Sequence, residues 1–309
     1  MARVSTPSPL LLQERYTGAL VGLACGDALG TTVEFKPRGS FVPLRDIVGG
    51  GPFALRRGQW TDDTSMALCL AESLVENHYD VTDQMERFLR WWREGYWSAT
   101  GRCFDIGMTT ARALERFERE RDPYAGSEDP NTAGNGSLMR LAPVVLFFHP
   151  VDEDVRRYAV DHSRTTHAAA EVLQCCQLFA HALSRALTGQ SKEALLDGAL
   201  AWLTEDKVAA IAAGEFRSKP GEEIRGSGYA VDSLEAALWC LHHTDNFREA
   251  VLAAANLGDD ADTTAAITGQ LAGALYGVEA IPREWRQILH RREDILDLAR
   301  RLYNASRSR

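Results

Sequence analysis

The chain is predicted to be all-α, and three features carry that reading. Alternating β-branched runs bounded by turns are missing from its 309 residues. Apolar residues recur instead at helical spacing through most of the sequence. Glycines also recur every fourth residue in two distant segments, which puts each set on one helix face. About a dozen helices are expected on this pattern. No composition shift or linker marks a boundary, so one domain is expected over residues 10–305, with flexible tails at 1–9 and 306–309.

A helix is expected from about Leu10 to Ala28, with Gly18, Gly22, Gly26 and Gly30 in one stripe. Glycine is a poor helix former, so the stripe needs a reason, and close approach of another backbone supplies one. Ala265, Gly269, Gly273 and Gly277 form the matching stripe, so the two helices are expected to pack at short range. That contact would bring Asp27 and Glu34 near Asp260 and Asp262. Residues 31–59 read as loop, followed by a helix from Ser65 to about Asn77. Residues 80–100 read as an amphipathic helix with Met85, Phe88, Leu89, Trp91 and Trp92 on its apolar face. Asp105 is the lone acid in an apolar approach to a helix over Ala111–Glu120. A polar loop, 121–137, leads into a helix expected from Leu138 to Phe148. Two helices are expected in 152–188, with His167 between them, and two more in 190–214. Val231–His242 and Phe247–Leu257 are helical in pattern, and Ile281–Ala305 reads as one basic amphipathic stretch ending in a frayed Ser306–Arg309.

Composition narrows the function classes. With 45% hydrophobic and 25% charged residues, the chain has the balance of a soluble globular protein. A net charge of -9 argues against direct nucleic-acid binding driven by phosphate neutralisation. Cys25, Cys69, Cys103, Cys175, Cys176 and Cys240 form no C-x-x-C pair and mostly sit in apolar helical patterns, so they read as reduced thiols of a cytoplasmic protein. No apolar run is long enough to span a bilayer, and no signal peptide is evident.

The chemistry concentrates in two acidic corners. Gly258-Asp259-Asp260-Ala261-Asp262-Thr263-Thr264 opens one apolar helix, and Trp60-Thr61-Asp62-Asp63-Thr64 opens another far upstream. Acids at the mouth of a buried helix need a compensating positive charge. A divalent cation would provide it, because hard cations take carboxylate and hydroxyl oxygens. Capping is the alternative for Thr61-Asp62-Asp63, since Thr and Asp cap helices and suit the dipole. The Gly134-Asn135-Gly136-Ser137 turn before a helix could cradle phosphate on its backbone amides.

These motifs resemble the ADP-ribosylglycohydrolases. The matching segments are Gly18–Phe35, Gly58–Met66, Gly134–Arg140 and Asn256–Gly277, in family order across nearly the whole chain. The bacterial dinitrogenase reductase-activating member looks nearest, because Gly228–Asp232 and Tyr276–Pro282 also look like it. The resemblance implies an orthogonally packed single helical domain with two divalent cations, Mg²⁺ or Mn²⁺. It implies Thr61, Asp62, Asp63, Asp260, Asp262 and Thr263 as metal ligands. It places Glu34 beside the metals and Asp105 at the scissile ribose, as the two candidate catalytic carboxylates. Gly107, Gly134, Asn135, Gly136, Ser137 and His167 would line the ADP-ribose cleft, with Tyr229 on the adenine side. Met108 and the 121–133 loop depart from the pattern, and both lie where the modified side chain should enter.

The implied reaction is hydrolysis of the bond between ADP-ribose and an acceptor side chain, best assigned as arginine on an ADP-ribosylated protein, by a monomeric enzyme. The rival readings are an ADP-ribose-binding module without turnover, a crystallin-like protein, a hydrolase of O-linked or nucleic-acid-linked ADP-ribose, and a phosphohydrolase acting on the diphosphate.

Overall fold

The computed structural model describes residues 10–309, so the tail expected at 1–9 lies outside the described residues. The described chain is helical, and its only β features are isolated bridges. The helices are α1 (Leu12–Gly30), α2 (Asp62–Asn77), α3 (Val81–Glu94), α4 (Met108–Glu120), α5 (Ala142–Phe148), α6 (Asp152–Ser163) and α7 (Ala170–Leu187). They continue with α8 (Asp206–Ala212), α9 (Ala230–His242), α10 (Phe247–Ala255), α11 (Ala261–Tyr276), α12 (Arg283–Ile288) and α13 (Arg292–Arg307). Among the described residues no helix is long and apolar enough to cross a membrane. All six cysteines are free, and all but Cys103 are buried.

The centre of the fold is the antiparallel pair α1 and α11, buried along nearly their whole lengths. Their two stripes interlock as the sequence predicts. A methyl group added at Gly18, Gly22 or Gly26 would overlap the carbonyl oxygen of Gly273, Gly269 or Ala265, so only glycine allows this approach. The same register sets Gly30 against Ala261 and brings the C-terminal end of α1 to the N-terminal end of α11. Arg15 fastens the other end by donating to the Ala274 and Leu275 carbonyls of α11 at 2.9 and 2.8 Å. At that helix end the cation also meets the negative pole of the α11 dipole.

The remaining helices wrap this pair, and α13 closes the bundle against α1, α2 and α5. Tyr16 donates to Ser306 Oγ at 3.0 Å, and its ring meets Tyr303 edge-on at 5.4 Å. Helix α13 therefore runs through Arg307, past the point where fraying is expected.

Local chemistry moves several other boundaries. Helix α3 is capped by Asp80, which accepts from the Thr82 and Asp83 amides, and stops at Gly95 in the left-handed region. The stretch 190–214 holds one short α-helix, α8, and short 3-10 turns instead of two helices, because Gly198 and Gly214 take left-handed backbone there. The basic C-terminal stretch breaks into α12 and α13 at Arg291, whose φ is 53°. The helix expected from Leu138 starts only at Ala142, with a non-helical turn over 136–140.

Candidate active site

The α1–α11 register builds the floor of the site. Asp27, fully buried on α1, accepts from the Thr61 amide and hydroxyl at 2.8 and 2.9 Å through one oxygen. Its other oxygen accepts from the Thr64 amide and hydroxyl at 3.0 and 2.6 Å. Helix α2 is thus capped from outside by Asp27, and the Thr61 side chain makes no cap bond of its own. Thr61 holds the N-cap position with Asp62 and Asp63 in the first turn, as the capping reading expects, but its hydroxyl makes no cap bond and the side chains turn elsewhere.

They turn toward α11. Thr61 Oγ1 lies 2.9 Å from Asp27 Oδ1, 3.1 Å from Asp63 Oδ2 and 3.3 Å from Asp262 Oδ2. One hydroxyl proton cannot serve three carboxylate oxygens. Thr263 Oγ1 stands 3.4 Å from the same Asp63 oxygen. Asp63 Oδ1 and Glu34 Oε2 are buried with no hydrogen-bond partner. The two corners, 200 residues apart at Asp63 and Thr263, therefore meet.

Two loop segments bring in the remaining acids. The Phe35 amide donates to the Asp259 carbonyl at 2.7 Å and the Asp259 amide to the Lys36 carbonyl at 2.8 Å. This clip holds Glu34 over the start of α11, and both Phe35 and Asp259 take positive φ (62° and 55°) to make it. Asp105, also at positive φ (61°), approaches from the loop before α4. Non-glycine residues held in that region cluster at functional sites.

The electrostatics are those of a site built for cations. Burial, reinforced first by Asp105, pushes Glu34 up to about 10. Burial pushes Asp105 up to about 7. Asp62, Asp63 and Asp262 are all held well above the usual carboxylate range by burial and then by neighbouring carboxylates. Such groups cannot all ionise together without positive charge among them. Oxygens of Asp27, Asp63 and Asp262 lie within 4.8 Å of one another, as do those of Glu34, Asp105 and Asp262. The two groups share Asp262, a donor set that suits a pair of hard divalent cations. The orphaned oxygens on Asp63 and Glu34 fit the same occupants.

A cleft of about 290 Å³ opens above this floor. Glu34, Asp62, Asp105, Asp260, Asp262 and Thr263 line it together with Gly107, Gly134, Asn135, Gly136 and His167. Thr61 and Asp63 lie just beneath, fully buried. Asn135 lines the wall and also steers an acid, donating through Nδ2 to Asp260 Oδ2 at 2.7 Å and to Ser233 Oγ at 2.9 Å.

Four expected binding residues, Gly134, Asn135, Ser137 and Tyr229, behave differently from the sequence reading. The Gly134–Ser137 turn does not open a helix, since α5 starts beyond it. Its first two amides are already engaged, Gly134 with the Thr132 carbonyl and Asn135 with the Gly228 carbonyl, so Gly136 and Ser137 hold the free ones among the described residues. The Ser137 side chain points into the core, 2.7 Å from Ser163 Oγ, and takes no part in the cleft wall. Tyr229 occupies the N-cap position of α9 on the outer flank of Gly134, where its hydroxyl joins Lys207 and Glu171.

The packing stripe places Asp27 beside the acidic corners as expected, but its role as the outside cap of α2 is not evident from sequence, and Arg140 is not singled out there at all. Arg140 is a lone basic residue within the apolar run Leu138–Val145.

The similarities to other proteins agree with this geometry. The family model described as ADP-ribosylglycohydrolase matches residues 8–309. The chain is 47% identical to the ADP-ribosylarginine hydrolase Tri1 of Pseudomonas putida, over 98% of this chain and 81% of that protein. It is 33% identical to the ADP-ribosyl-[dinitrogen reductase] glycohydrolase of Rhodospirillum rubrum, over 89% of this chain and 90% of that protein. A solved structure described as an ADP-ribosylglycohydrolase-related protein complex superposes with a TM-score of 0.86 at 45% identity, covering 96% of this chain and 99% of that one. Matches of this extent, together with the shared helical architecture, mean that the chain belongs to the ADP-ribosylglycohydrolase family.

Proposed function

We propose that this protein hydrolyses the N-glycosidic bond between ADP-ribose and an arginine side chain on a protein, using a pair of divalent cations. One observation carries the reading. Acidic side chains from both ends of the chain converge, under-partnered, on the floor of a cleft walled by glycine backbone. Thr61, Asp62, Asp63, Asp260, Asp262 and Thr263 would hold the cations, and Asp27 would orient Thr61 from behind. Bound there, Mg²⁺ or Mn²⁺ supplies Lewis-acid polarisation and a more acidic water.

The chain's own residues supply the rest. Departure of the guanidine leaves oxocarbenium character on the ribose, and the acidic wall of Glu34 and Asp105 stabilises that developing positive charge. Either carboxylate, once ionised beside a cation, can accept the proton of the attacking water. The free Gly136 amide and His167 face the diphosphate, Gly107 borders the ribose end, and Tyr229 flanks the adenine side.

The proposal is tested by incubating the protein with arginine-, serine- and nucleic-acid-linked ADP-ribose, with and without chelator. Free ADP-ribose should appear from the arginine conjugate and stop with chelator. Release of AMP would mean phosphate-bond cleavage and would overturn the assignment. Glu34→Gln and Asp105→Asn should each lower turnover by about 10²- to 10⁴-fold. Their ADP-ribose affinity, read by calorimetry, should move far less. Equal losses in both quantities would assign the two carboxylates to binding alone.

A further inference from the structure

Beneath the Gly134–Ser137 turn lies a fully buried guanidinium with no carboxylate partner among the described residues. Arg140 donates to the Gly136 carbonyl at 3.0 Å, His162 Nε2 at 3.2 Å and Thr166 Oγ1 at 2.6 Å, and it approaches Met66 Sδ at 3.7 Å. Its Cζ lies 4.6 Å from the centre of the Phe88 ring. Burying a cation among neutral acceptors is unfavourable unless each hydrogen bond is made. The arrangement therefore calls for a role.

Arginine can only donate, so each neighbour's hydrogen-bond sense is fixed. His162 Nε2 must accept, which directs its Nδ1–H to Gln84 Oε1 at 3.3 Å. Thr166 Oγ1 also accepts, and its own hydroxyl proton still needs a partner. Thr166 is sealed from solvent, and its other polar neighbour among the described residues is His167 Nδ1, at 2.8 Å. A buried hydroxyl is expected to donate where it can. Donation to Nδ1 leaves the ring proton on Nε2. That nitrogen lies against the glycine wall: a methyl group added at Gly136 or Gly134 would stand 3.1 or 3.5 Å from it. It finds no protein acceptor among the described residues and opens onto the cleft that Asp260 and Asp262 also line.

We propose that Arg140 and Thr166 are positioning residues that hold His167 as a neutral Nε2–H donor aimed at a diphosphate oxygen of the ligand. The proposal rests on the ADP-ribose reading of the cleft. Burial, and then the Arg140 charge behind the ring, lowers His167 to about 3, so it stays a neutral donor rather than an imidazolium. The same guanidinium ties the turn's Gly136 to α2 through Met66, so phosphate wall and acidic floor share one anchor.

The test is ¹⁵N NMR of the histidine rings in the full chain without ligand, with the His167 signals identified by their loss in His167→Gln. The proton should reside on Nε2 in the wild type. Thr166→Val should release that single tautomer and weaken ADP-ribose binding about tenfold, the scale of one hydrogen bond to a charged group. Its KM should rise more than its kcat falls. Thr166→Ser should restore both tautomer and affinity, which separates positioning from general loss of packing. A wild-type proton on Nδ1, or a folded Thr166→Val with unchanged tautomer and Kd, overturns the proposal. A wild type that shows Nε2–H yet binds no ADP-ribose removes both the ligand half of the proposal and the assigned function. The tautomer result would stand.

Discussion

Asp62→Ala and Asp260→Ala are expected to abolish turnover, with a fall of about 10³-fold or more, equivalent to at least about 4 kcal/mol of transition-state stabilisation. Both should also lose divalent-cation binding. The two side chains come from α2 and from the cap of α11, so each removes a ligand from a different corner of one floor. The variants should stay folded. Burial and mutual repulsion raise the pKa of Asp62, and burial raises that of Asp260, so loss of either carboxylate relieves an unfavourable charge in the ion-free state. The contrast appears in thermal melts. An ion at about a hundred times its Kd stabilises a folded protein by about 2.7 kcal/mol. Wild type should gain that increment from Mg²⁺ or Mn²⁺, and the variants should gain little. Full metal content and normal rates in both variants would remove the acidic floor from the mechanism.

Gly22→Ala and Gly269→Ala are expected to destabilise the fold by about 3 kcal/mol or more each. Two effects oppose one another here. Alanine improves helix propensity over glycine by about 1 kcal/mol. Against that, the new methyl would overlap a carbonyl oxygen of the facing helix, and backbone cannot rotate away as a side chain can. Separating α1 from α11 would strip contact from residues buried on both. Overlap wins, and chemical denaturation should report it as a lower midpoint. A stabilised Gly269→Ala would show that the helices tolerate a wider spacing than the structure allows.

Helices in this chain were legible wherever periodicity was long, and so was the α1–α11 contact, because a four-residue glycine repeat has few uses other than close packing. The acidic corners were legible because two of them matched. What escaped was set by tertiary partners. Thr61 looks like a cap in sequence, but Asp27 performs that task from another helix. The break between α12 and α13 sits at Arg291, a residue type that gives no warning of left-handed backbone. The delayed start of α5 follows from Pro143, which is tolerated in the first turn of a helix and not in the interior of one begun at Leu138. Arg140 was hidden because a single basic residue in an apolar run reads as an exposed edge, whereas here it is wholly enclosed.

The interlocked glycine stripes also tie cation binding to the docking of distant helices. Asp27 and Asp262 stand on α1 and α11, and the glycine register is what sets their oxygens side by side. An ion held between them would bind the docked pair better than the separated one, so occupancy would act as a seal joining the two ends of the chain.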